Sequence, residues 1–159
     1  MSQSKIFFNN FLIMAAFASG AHAELTDVQI VKGICTAQSH IAEGNIGEDL
    51  TKRRSRFYCD SAVISFFDND SKHIMIQFAE SASHHSQPIG FAGLMESNGL
   101  ILDVQNVYLQ TGQPIPATDG ACKFFFKNKH MTAVTCGSKI DEEGCRTVPV
   151  IVFEANPGQ

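Results

Sequence analysis

From Phe57 to Ala155 the chain is cut into short runs of β-branched and aromatic residues by clusters of Asp, Asn, Ser, Gly and Pro. That punctuation restricts it to hairpins of antiparallel strands. FYCDSAVISFF at 57–67 and HIMIQFA at 73–79 flank Asp68-Asn69-Asp70-Ser71, a four-residue hairpin connection. IGFAGLM at 89–95 and LILDVQNVYLQ at 100–110 flank Glu96-Ser97-Asn98-Gly99, whose Asn-Gly step supplies the positive-φ positions such a turn needs. After a loop over 111–120, CKFFFK and HMTAVTC surround a third turn at Asn128, and RTVPVIVFEA at 146–155 forms a seventh strand. Pro149 cannot donate to a ladder, so it predicts an edge or a bulge in that strand.

Before Phe57 the period changes. Thr26-Asp27-Val28-Gln29 has the T-x-x-Q form of a capping box. Val28, Val31, Ile34, Cys35, Ile41 and Ala42 then recur at helical spacing, and Gly44 offers a stop. Residues 44–55 read as a polar connection. The expected fold class is therefore α+β, an N-terminal helix packed on a curved antiparallel sheet or small barrel of about seven strands.

The first residues carry a different message. Lys5, the apolar run Phe11 to Ala18 and the small-x-small site Ala21-His22-Ala23 describe a signal peptide over 1–23. Asn9 and Asn10 interrupt the apolar stretch, which falls short of the ~20 residues a spanning helix needs. No lipid-anchoring cysteine follows it, since the first cysteine is Cys35. Residues 24–159 are then expected to be a single exported globular domain, periplasmic or secreted, with no stable membrane anchor. The formal net charge is −4, and losing Lys5 with the leader makes it one unit more negative. Such a balance disfavours nucleic acid as a partner. The basic cluster KRRSR at 52–56 reads as a solvated loop, because acids surround it.

Export decides the chemistry of the five cysteines, Cys35, Cys59, Cys122, Cys136 and Cys145. Their gaps are far longer than the paired knuckles of structural zinc sites, and oxidising compartments turn unoccupied thiols into disulfides. A hairpin centred near Lys129 sets Cys122 opposite Cys136, with α-carbons about 5.5 Å apart and within bridging range. A Cys35–Cys59 bridge would tie the helix to the sheet. Each closes a loop for which the chain-entropy model gives roughly 3 kcal/mol. Cys145 is the odd thiol; its acidic neighbours argue against an activated thiolate, so it is expected to be buried or to exchange with Cys136.

No catalytic constellation stands out. His84-His85 is a weak metal candidate, with no further ligand at a metal-binding spacing, and reads more simply as a solvated loop. There is no nucleophile elbow, no Cys-His signature and no glycine-rich phosphate cradle. The acid pairs Asp68/Asp70 and Glu142/Glu143 read as solvated turns. No cofactor is expected. In Phe124-Phe125-Phe126 alternate side chains face opposite ways, so Phe125 becomes an exposed interaction residue if one face of the sheet is open. The leading expectation is an exported binding protein with an unidentified protein partner, an inhibitor or immunity-type neutraliser. A small-ligand carrier using a barrel interior is the second, and an enzyme with an unrecognised site the third.

Overall fold

The segment expected to be a helix is a strand. The structure, a computed structural model, describes residues 25–67, 72–81, 84–110 and 112–158. The leader expected at 1–23 and the 68–71 connection with its Asp68/Asp70 pair lie outside the described residues. In chain order the strands are β1 Leu25–Cys35, β2 His40–Asn45, β3 Arg54–Arg56, β4 Ser61–Phe67, β5 His73–Ala79, β6 Ile89–Met95, β7 Ile101–Tyr108, β8 Pro114–Pro116, β9 Asp119–Lys127, β10 His130–Glu142 and β11 Cys145–Ala155. The only helical element among the described residues is a single 3₁₀ turn, Leu50–Lys52. The α+β expectation is thus overturned: the described residues form an all-β domain.

Eight of these strands, β1, β4, β5, β6, β7, β9, β10 and β11, follow one another around an antiparallel up-and-down barrel, which β1 and β11 close. Closure explains why the apparent helix is a strand. Along β1, Val31, Gly33 and Cys35 face inward, while Val28, Ile30 and Ile34 stand exposed outside. Apolar residues on both faces of a two-residue period produce the spacings of a helix. Gly33 settles the matter sterically: a Cβ there would lie 2.1 Å from the Glu154 carbonyl oxygen and 2.5 Å from the Phe153 ring, so only glycine lets the closing seam form.

β1 and β2 run on in one direction along β11, interrupted at 36–39. There the Ser39 hydroxyl donates to the Val152 carbonyl and accepts from the Val152 amide, standing in for a missing ladder residue. β11 is accordingly flanked by β10 and β2 and is not an edge; buried Pro149 sits where the β10–β11 pairing is interrupted, opposite Ile41 of β2. KRRSR is likewise not a loop: it spans the end of the 3₁₀ turn and edge strand β3, where exposed arginines discourage further pairing.

Inside, Phe78 packs edge-on to Phe91 at 6.1 Å and tilted against Phe153 at 5.9 Å, with Ile76, Leu102, Val107, Val134 and Ile151 fully buried around them. Cys122–Cys136 bridges neighbouring inward positions of β9 and β10 with α-carbons 4.0 Å apart. Cys35–Cys59 joins β1 to the segment before β4, strand to loop rather than helix to sheet. Two intramolecular disulfides belong with an oxidising compartment. Cys145 is the unpaired thiol; it begins β11 after the turn at Glu143-Gly144 and is exposed, not buried.

Candidate functional site

The barrel differs sharply between its ends. At one, the insertion 36–60 leaves β1, extends the sheet beside β11 as β2 and β3, and returns through Phe57 to β4, leaving a concavity of about 690 Å³ between Ile41, Phe57, His84 and Ile115. Phe57 is buried there, the Arg56 guanidinium donates to the carbonyls of Cys35 at 3.0 Å, Ser39 at 2.9 Å and Thr36, and Arg56 also lies 4.9 Å from the Tyr58 ring centre. At the other end the described connections, 96–100 and 128–129, are tight turns, and nothing among the described residues crosses it.

That second end is a cup of about 510 Å³. Its wall is built from Val31 of β1, Ile64 and Phe66 of β4, Ile74 of β5, Met95 of β6, Phe124 and Phe126 of β9 and Met131 of β10. All lie on the inward-facing register of their strands, so the same alternation that fills the core deeper down lines the cup above it. Polar groups sit at the rim: Gln29, Lys129 and His130. Phe126 continues the inward row of Cys122 and Phe124, and its ring stacks on Phe124 at 6.4 Å. Even so it remains 48 % exposed, because β9 projects past its pairing with β7.

A second concavity, about 620 Å³, lies on the outer wall over β5, β6 and β7. Ala92 of β6 forms a low floor between Met75 and Gln77 on one side and Asn106 and Tyr108 on the other. Its polar side chains are mostly uncharged amides, with His73 the exception at one edge.

The residues singled out from sequence fall elsewhere or only at the margin. Phe125 points outward beside the cup, 41 % exposed, with the Lys123 ammonium 5.3 Å from its ring centre. His84 is not a free solvated residue: its ring stacks on Tyr58 at 3.8 Å, and its Nδ1 lies 2.5 Å from Glu80 Oε1. Glu80 also accepts the His84 and Ser86 amides, while the Ser86 hydroxyl accepts the Tyr58 amide. The His84 hydrogen bond, followed by the two amides, holds the Glu80 carboxyl below its ordinary range against the opposing effect of burial. A carboxylate on Nδ1 orients an imidazole as in acid–base catalysis. Here, however, the ring is held by stacking, and among the described residues no hydroxyl or thiol is bonded to its other nitrogen. His85 takes a positive φ of 58° in the same loop. Among the described residues no three His, Cys, Asp or Glu side chains are grouped to hold a metal ion. Cys145 faces a shallow surface depression beside Glu43, Glu48, Arg53 and Arg146.

Val31, Phe126 and Met131 escaped the sequence reading as site residues. Phe126 could have been found from the strand alternation that marked Phe125; the others become a site only through the barrel's closure. The chain matches no protein-family model, no curated protein and no solved structure.

Proposed function

We propose that this is an exported binding protein, acting in the periplasm or outside the cell, whose open barrel end takes up a small apolar molecule. One observation carries the reading: an apolar cup, walled by inward-facing side chains, lies at the end of the barrel that no described segment crosses, opposite the end where Phe57 of the long insertion is buried. An eight-stranded barrel has room for its own side chains or for one small ligand, and about 510 Å³ falls within the usual range of small-molecule sites. The lining offers no charged group below the rim, which favours a hydrocarbon-like body over a sugar, nucleotide or metal. The test is titration of the mature chain with a neutral naphthylamine fluorophore. One saturable site is expected, abolished by Val31→Trp, which fills the cup, with the far-ultraviolet circular dichroism unchanged. Absence of saturation, or equal binding by Val31→Trp, overturns it.

The outer groove favours a second reading, a protein partner docked on the barrel wall. Its floor at Ala92 between Met75 and Tyr108, with amide side chains to pair with a backbone, suits an extended segment. Ala92→Arg should abolish capture of that partner from native extract while leaving fluorophore binding intact. Capture unaffected by Ala92→Arg removes this reading.

A further inference from the structure

We infer that the tip of the β9–β10 hairpin docks the open end of the barrel onto an anionic lipid surface. Among the described residues, the large exposed apolar side chains gather at that end: Val28 and Ile30 on β1, Leu100 before β7, and Phe125 and Phe126 on β9, with only Ile34 and Ile46 elsewhere. Toward the tip, between Gly120 and Ser138, the chain carries three lysines, Lys123, Lys127 and Lys129, and no acid, although the whole chain is net negative. Lys127, Lys129 and His130 make no ion pair among the described residues. Aromatic rings ringed by unpaired lysines match the two layers of a bilayer interface. The rings enter the acyl boundary, and the lysine stems lie along it with their ammonium groups at the phosphates.

The hairpin is also prepared for this. Asn128 and Lys129 form a two-residue turn with φ of 50° and 67°, whose twist matches that of the flanking strands and keeps the pairing up to Lys127 and His130. Phe125 and Phe126 are thereby presented beyond β7, and ordering them on binding costs little. The acids at this end lie on other strands and turns, Asp27 on β1, Glu96 on the β6–β7 turn and Glu154 on β11, where it pairs with Ala133 three residues from His130; the first two are engaged locally. Their carboxylates accept the Val28 amide and the Asn98 side-chain amide. The protein therefore meets the surface hairpin first. A nucleic acid would also meet the lysines but would leave the apolar cluster uncovered. A protein partner is the competing occupant.

The chain has no tryptophan, so a single Trp is a clean reporter. Phe126→Trp should shift its emission to the blue with vesicles of phosphatidylcholine containing about 30 % phosphatidylglycerol, and not with phosphatidylcholine alone. Ile46→Trp, away from the open end, should not shift. Sedimentation of the unmodified mature chain with the mixed vesicles should weaken as salt rises. It should fall about fivefold for each of Lys127→Gln and Lys129→Gln, and be lost in Phe125→Ser/Phe126→Ser. Val31→Trp should bind vesicles normally, which separates failure of the docking surface from failure of the cup. No blue shift at Phe126→Trp, an equal shift at Ile46→Trp, equal binding to neutral vesicles, or a soluble protein retained by the tip while no vesicle is bound would each overturn the inference.

Discussion

The two ends of the barrel are made by the same eight strands, yet inserted chain partly seals one and leaves the other open. The pairing is continuous around the barrel, so the strands themselves do not decide which. The connections do. Between β1 and β4 the chain inserts residues 36–60, long enough to lay Phe57 across the mouth and to fix it with Arg56 and the Cys35–Cys59 bridge. At the opposite end the β9–β10 turn has only Asn128 and Lys129 outside the strands, too short to cover anything. Cover thus follows from long connections, 36–60 above all, and openness from tight turns such as Asn128-Lys129.

The sharpest way to test that contrast is to remove equal aromatic bulk from each depth. Phe78→Ala empties a fully buried site between Phe91 and Phe153 and should cost about 3–5 kcal/mol in urea unfolding. Phe126→Ala at the mouth should cost under about 1 kcal/mol, because its ring is already half in water, yet should weaken fluorophore binding. Comparable losses at the two positions would show the cup to be part of the packed core. Next in size, Cys35→Ala/Cys59→Ala should lower stability by roughly 3 kcal/mol. Its loss of amide protection should concentrate in 36–60 and leave the β9–β10 hairpin as it was. Loss spread evenly over both ends would break the contrast.

How much of this could be read from the residues alone follows the same division. The hairpins at 73–79 and 89–95 were legible because each strand alternates beside a strong turn signal. Cys122 faces Cys136 because β10 bulges between Met131 and Ala133; without that extra residue Cys122 would face Thr135. Centring the hairpin on Lys129 absorbed the bulge unseen. β1 was not legible, since its apolar residues lie on both faces and imitate a helix. The sterically required Gly33 was the overlooked sign, as a mid-helix glycine is disfavoured. The cup was hidden for a deeper reason. Its wall comes from six strands, and Val31 or Met131 differs from a core residue only in its height along the barrel, which the linear pattern does not encode. The stacking of His84 was hidden because Tyr58, its partner, is brought to it by the insertion and not by any local spacing.

The smallest effect concerns protons. At the sealed end Asp60 and Glu80 are held below the ordinary carboxylate range, Asp60 chiefly by the Ser81 hydroxyl and amide and Glu80 chiefly by His84. A lowered folded-state value means each carboxylate adds stability that is fully present above its ordinary titration, near about pH 4. That stability fades as the pH falls through the lower folded value. Both groups clasp the stretch 80–86 to the covering segment, Asp60 directly and Glu80 through Ser86, whose hydroxyl accepts the Tyr58 amide. Acidification from about pH 5 to pH 3 should therefore reduce amide protection at Ser81, His84 and Ser86, after correction for the intrinsic exchange rate. The β9–β10 ladder, held by backbone bonds and a disulfide, should keep its own. Glu80→Gln should remove most of the pH dependence at His84 and Ser86 while leaving that at Ser81, whose partner is Asp60. If the hairpin loosens first, or if Glu80→Gln changes nothing, the clasp at the sealed end is not what these carboxylates support.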